Sequence, residues 1–285
     1  MKKLLLLALL FNAIMVCAQT VTRKVGLAKG QQLEQQSHVQ MNMTQEAMGQ
    51  SIEIKMEGDI TNLVEVKDAA ANNFEVANTL KKILMSMNAM GQDVKFDSDK
   101  TEDMDGQFGQ VFKGKVGVPR EFTVNKDGVI TAVKNTRDTT ENPGGMMGGM
   151  MSGALGSGEE REGATFNTLA NIPAKGVKVG DSWSDSTSDE NGKTFTTYTL
   201  KEVNGGNGLV ILLSNSAISR EMEQQGIPMQ MEMTGTTIGE YTFDVSTGII
   251  KTRKGTTKST GKIEAGGMSM PVNMETTVQS TVNKK

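Results

Sequence analysis

Few side chains in this sequence could do chemistry, and their neighbours give them little help. His38 is the single histidine. A nucleophilic triad would have to be built on it, yet Ser37 is merely its neighbour in the chain and no glycine-flanked serine accompanies it. It reads as an exposed strand histidine. The acidic stretch from Asp97 to Gly106 offers oxygen ligands at close spacing, but Glu102 stands where a calcium loop needs its turn glycine, which leaves a solvated turn. Spacing cannot pair carboxylates in a chain with 33 acidic residues, although one Trp and two Tyr argue against a carbohydrate-stacking cleft. The expectation is a protein that is not an enzyme, with no catalytic residue, cofactor or metal site.

Methionine is the compositional outlier, at 21 residues. Met41 and Met43, Met85 and Met87, Met229, Met231 and Met233, and Met268 and Met270 each alternate with Asn, Ser, Gln or Glu. In an extended strand this spacing sends the thioethers to one face and the polar groups to the other. One reading is that methionine fills the core in place of scarce aromatics; the other is that these nine residues form a deformable surface for an apolar ligand. A different cluster, Met146, Met147, Met150 and Met151, lies in NPGGMMGGMMSGALGSGEE, residues 142–160. Thioethers suit Cu(I), but no histidine or cysteine is near and the glycines fix no geometry, so copper binding ranks below the other readings. The tract is expected to act as a hinge or linker.

The elements that must position these residues are legible in outline. Lys2 and Lys3 precede an apolar run from Leu4 to Val16 and a small residue at Ala18, the pattern of a secretory signal peptide over residues 1–18. The lipid-anchor alternative at Cys17 lacks the preceding small residue. Cleavage would remove the single cysteine and shift the formal charge from −3 to −5 by loss of the two lysines. Thiol chemistry and disulfides are then excluded, and with no basic run, nucleic acid is not an expected partner. Nothing after the leader is long and apolar enough to span a membrane, so an exported protein, periplasmic or extracellular, is expected.

Beyond the leader, residues 19–138 and 172–285 are rich in Thr, Val, Ile and alternating patterns, and 139–171 separates them. Thr196 to Val203 and Gly239 to Val245 read as half-buried strands; Asn73 to Met87 fits a helical face as well, but its counterpart Leu209 to Glu223 is rich in β-branched residues, which favours strands for both. Turn signals at Gly49, Gly106, Gly128, Gly192, Gly205, Gly248 and Gly266 suit successive antiparallel hairpins. The halves also parallel each other. Phe122 to Ile130 matches Tyr241 to Ile250, and Leu63 to Val76 matches Thr199 to Ile211 in order of strand, gap and strand. Ser157 and Glu160 form a capping-box pattern ahead of Phe166 and Leu169, predicting one short helix near 158–171. Gly180 and Asp181 are expected to turn the chain into a strand whose Trp183 anchors the second core.

The segments Pro173 to Trp183, Phe243 to Ile249, Met90 to Ser98 and Val124 to Ile130 resemble an uncharacterised family of secreted, β-rich bacterial proteins, chiefly Gram-negative. This domain of unknown function carries over no active-site residue. A more distant likeness, by architecture, is to periplasmic carriers of lipoproteins and lipids. The expected fold is all-β, with two similar antiparallel halves forming a curved sheet or open barrel. The expected function is a carrier or binding protein for an apolar, lipid-like ligand, with a structural or protein-interaction module of the cell envelope as the alternative. Its partner would be a hydrophobic ligand or an envelope protein.

Overall fold

The computed structural model describes residues 20–47, 49–106, 109–134, 160–189, 192–224 and 227–285. The strands are β1 Gln32–Ala47, β2 Gln50–Ala69, β3 Asn73–Ala89, β4 Gln92–Asp97, β5 Pro119–Asn125, β6 Ile130–Val133, β7 Ser182–Asp189, β8 Gly192–Asn204, β9 Asn207–Gln224, β10 Ile227–Asp244, β11 Ile250–Ala265 and β12 Met268–Lys284. Two short helices, α1 Thr101–Asp105 and α2 Gly109–Phe112, follow β4. All strands join one 12-stranded antiparallel sheet of order β6-β5-β3-β2-β1-β12-β11-β10-β9-β8-β7, with β4 paired to β3 off this path. β6 and β7 remain separate edges, so the sheet is open rather than a closed barrel.

Alternation assigns the faces. Along β10, Met229, Met233, Tyr241 and Phe243 are buried while Glu232, Thr234, Thr236 and Glu240 are exposed. Following the register outward gives an inner face that carries Leu33, Val39, Met41 and Met43 of β1, and an outer face of charged and hydroxyl side chains. A one-residue slip would reverse every assignment, so the buried set itself holds the register.

The two halves are a tandem repeat in hydrogen-bond detail. Before β1, the Gly30 N–H donates to Val66 O (2.9 Å) and Val66 N–H to Gln31 O (2.9 Å); before β7, Gly180 N–H donates to Leu200 O (2.8 Å) and Leu200 N–H to Asp181 O (3.1 Å). Farther on, Asn125 N–H donates to Val129 O (2.9 Å) and Gly128 N–H to Asn125 O (2.9 Å); Asp244 N–H donates to Ile249 O (2.9 Å) and Gly248 N–H to Asp244 O (2.7 Å). β1, β2, β3, β5 and β6 therefore correspond to β7, β8, β9, β10 and β11. In sheet order the second set repeats the first in the same direction, with β12 inserted between β1 and β11.

A single segment underlies both repeats. Phe166 N–H donates to Gly128 O (2.8 Å) and Ile130 N–H to Ala164 O (2.9 Å); four residues later Ala170 N–H donates to Gly248 O (2.8 Å) and Ile250 N–H to Thr168 O (2.9 Å). This connector brings Phe166 and Leu169 under the first half, against Phe122, Val124 and Leu33, and Ala170 and Ile172 under the second, against Leu200, Val210 and Phe243. Bonds to strand ends correct the expected helix near 158–171: residues 160–171 form turns and isolated bridges, because the Gly163, Phe166 and Ala170 N–H groups go to Ile130, Gly128 and Gly248 carbonyls, leaving only local turns such as Leu169 N–H to Phe166 O. Ser157 and the tract 142–159 lie outside the described residues, as does the leader.

Asn73 to Met87 is strand, as its counterpart in β9 implied. Asp105 and Gly106, expected at a hairpin, instead close α1. The acidic stretch is not merely solvated: Asp103 Oδ2 accepts from Asp97 N–H (2.8 Å), Asp97 Oδ1 from Asp99 N–H (3.0 Å), and Lys82 pairs with Asp99.

Asp244 and Asn125 do the same work in the two repeats. Asn125 Oδ1 accepts from Asp127 N–H (2.9 Å) and Val129 N–H (3.0 Å), and Asp244 Oδ1 from Ser246 N–H (2.9 Å) and Thr247 N–H (3.1 Å). The Ser246 hydroxyl, ahead of those N–H groups and Lys251, holds the Asp244 carboxyl down to about 2. A depressed acid stabilises the fold above its unfolded pKa of about 4 and loses that contribution as pH falls towards 2. Asp244→Asn should therefore keep the turn, with a modest loss at neutral pH that closes between about pH 4 and 2. Urea unfolding across that range checks this, and a constant gap would refute it.

Candidate ligand-binding surface

The inner face differs at its two ends. At the end covered by the connector and residues 20–31, the core is mainly Val, Leu, Ile and Phe, with Tyr241 and Ala170. Methionines line the opposite end. Met41 and Met85 pack there with Met56, Ile83 and Phe96, under Val111 and Phe112 of α2 and against Met104 of α1. Across β1 and β12, Met43, Met229 and Met233 pack with Ile263 and Val272, flanked by half-buried Met231, Met270 and Met274.

These clusters are built differently. The first is two-layered, because the helices fold back over the sheet and set the Phe112 ring 5.2 Å from Phe96. Every described residue of the second belongs to a strand, from β1, β2, β10, β11 and β12. The repeat explains the difference. In the first half the row Gly58, Met85, Phe96 crosses β2, β3 and β4, and in the second Gly192, Ile218, Met233 crosses β8, β9 and β10. β10 thus spans what β4 and β5 share, and runs straight through the point where the first half inserts its helices.

The predicted residues largely converge. Met41, Met43, Met85, Met87, Met229 and Met233 are each at most 9% exposed on the inner face, and Met231 and Met270 are half-buried beside them. Met268, 49% exposed at the start of β12, stands apart. Met56, Met104 and Met274 were missed; for Met56 and Met274 the signal was present, since Ile52, Ile54, Met56 and Val272, Met274 continue the same alternation. Polar groups also reach this end. Gln45, buried, turns its Nε2–H to the Met270 thioether (Nε2–Sδ 3.2 Å), a weak acceptor, and Arg220 occupies the inner position of β9 opposite Met231.

Other candidate features lie elsewhere. His38 is on the outer face, with Nδ1 2.8 Å from Asp59 and Nε2 3.3 Å from Glu57. Trp183 anchors the second core as expected, stacked on Tyr198 at 5.6 Å and donating from Nε1 to Asn171 O (2.8 Å). Burial pushes the Tyr241 hydroxyl up from its ordinary value. A concavity of about 750 Å³ touches Ile218 and Met233, but outer-face residues such as Lys193, Glu232, Thr260 and Lys262 dominate its lining, so it is not a chamber over the methionines. Among the described residues there is no cluster of three or more His, Cys, Asp or Glu suited to a metal, and no helix long and apolar enough to cross a membrane. Met146, Met147, Met150 and Met151 lie outside the described residues.

Residues 71–250 match a family of unknown function (DUF6263), well over half of the chain. The chain belongs to this family. The DUF6263 match begins ahead of β3 and ends at the start of β11, so β1, β2 and β12, which carry Met41, Met43, Met56 and Met274, lie beyond it. No curated protein matches the DUF6263 chain. Among solved structures, a lipovitellin structure described by its lipid–protein interactions aligns with a TM-score of 0.50 and 11% identity over 90% of this chain, which spans only 25% of that protein. An outer membrane channel from Pseudomonas putida F1 aligns with a TM-score of 0.25 and 7% identity, over 91% of this chain and 98% of that one. The lipovitellin likeness shows a shared kind of sheet.

Proposed function

We propose that this protein is an exported, non-catalytic carrier or binding protein for an apolar, lipid-like ligand taken up at the methionine-rich end of the sheet's second half. The observation that carries the reading is the methionine cluster whose described members all belong to strands, where the first half packs two helices of its own on the equivalent end. Unbranched thioether side chains adapt to guests of varied shape, which suits a surface that must repack around a ligand. A core served by methionine only as filler would have no reason to confine it to one end. Lipovitellin, whose sheet this one resembles, is itself described by its lipid interactions, which agrees with the reading. The leader pattern supports export.

Organic extraction of the protein purified from its native host, followed by mass spectrometry, is expected to recover a stoichiometric apolar ligand. Clean protein that also fails to take up lipid from vesicles would sink the proposal. One observation favours a protein-interaction module instead: Phe195, Leu213 and Ile238 are exposed together on the outer face of β8, β9 and β10. Under that reading, Leu213→Ser with Ile238→Ser would abolish capture of a specific envelope protein while leaving lipid content unchanged.

A further inference from the structure

We infer that the apolar ligand is a long-chain carboxylate and that Arg220 is the residue that holds its headgroup. This rests on the carrier reading and names its ligand class. Arg220 is half-buried, and inward-facing by strand parity: Val210, Leu212, Ser214, Ser216 and Ile218 precede it on the same face of β9. Its register partner is Met231, whose neighbours on β10 are Met229 and Met233, and beyond them lies Ile263 of β11. The flanking acids do not serve it. Glu221 is exposed on the outer face, and Glu232 and Glu264 both pair with Lys262 there (3.4 Å and 2.6 Å).

Among the described residues Arg220 has no hydrogen bond or ion pair, whereas Arg23, Arg120 and Arg253 each donate to a backbone carbonyl. A guanidinium at the rim of an apolar surface is costly unless an anion meets it, and its planar fork matches a carboxylate with two parallel N–H···O bonds. The repeat sharpens the point. The position equivalent to Arg220 in the first half is Met87, two residues beyond Met85 as Arg220 is two beyond Ile218. There, the half covered by its own helices places a thioether. The second half, with no helix there among the described residues, places a cation opposite half-buried Met231, whose thioether can pack against an acyl chain.

The test uses the full chain, with hexadecanoate, hexadecanol and hexadecyl phosphate as probes in a tryptophan-independent displacement or calorimetric assay. Hexadecanoate should bind at least tenfold more tightly than hexadecanol, with the difference shrinking as salt rises. Arg220→Gln should erase that preference while leaving hexadecanol binding and the unfolding midpoint unchanged, and Arg220→Lys should restore part of it. If acid and alcohol bind equally, or Arg220→Gln keeps the preference, the headgroup assignment is overturned while the carrier reading survives. Stronger binding of hexadecyl phosphate than of hexadecanoate overturns the carboxylate assignment. Failure of all three probes overturns both.

Discussion

Replacing Phe166 by Ala is expected to lower the stability of the whole protein by about 3–5 kcal/mol, the range for removing a buried aromatic ring. Phe166 is fully buried and meets the Phe122 ring edge-on at 5.2 Å. Its backbone is pinned by the bond to Gly128 O, and four residues later the same connector is pinned to Gly248 O. The damage should therefore reach both repeats and appear as one shifted transition. Urea unfolding followed by Trp183 fluorescence, which reports the second half, and by far-ultraviolet dichroism, which reports the whole sheet, checks this. Separate transitions, or a loss below about 1 kcal/mol, would show that the connector is not the shared core the contacts indicate.

Gly248→Ala should be far more damaging than Gly128→Ala, although the two glycines occupy the same turn of the two repeats with the same φ of 76°. A side chain in that left-handed conformation costs about 1–2 kcal/mol by itself. At Gly128 the added carbon would meet two movable side-chain ends, Leu169 Cδ1 at 3.2 Å and Val25 Cγ2 at 3.6 Å. At Gly248 it would lie 2.1 Å from the backbone oxygen of Lys24, which cannot yield without moving the segment that the Gly26 N–H ties to Thr247 O (2.7 Å). The overpacking adds about 1–3 kcal/mol, so Gly248→Ala should cost about 2–5 kcal/mol against about 1–2 for Gly128→Ala. Chemical denaturation of the pair decides the matter, since equal losses would mean that the Lys24 segment gives way freely.

Much of this architecture could be read from local chemistry because it is a meander of hairpins. Alternation in Thr196 to Val203 and the glycines at 128, 205 and 248 report strand and turn directly, and comparison with Leu209 to Glu223 resolved the ambiguity at Asn73. The connector could not be read the same way. Ser157, Glu160, Phe166 and Leu169 carry a helix signature, but the carbonyls of Gly128 and Gly248 compete for its N–H groups, and nothing in residues 157–173 reveals a partner that distant. The methionine surface was half legible. Period-two spacing put the thioethers on one face, yet what packs on them in the first half is set by the residues between β4 and β5, and nothing local to Arg220 marks it as inward-facing before the register sets it opposite Met231.

The helices after β4 also have a meaning beyond packing. Phe112 is joined to the sheet by a short covalent path, so its local concentration at Phe96 stays constant whatever the surroundings contain. Among the described residues the second half has no such tethered helix, so under the carrier proposal its ligand would come from solution and could leave again. Under that proposal one repeat is self-ligated and the other exchangeable, and the first half would serve as the saturated reference against which occupancy of the second is measured within a single chain.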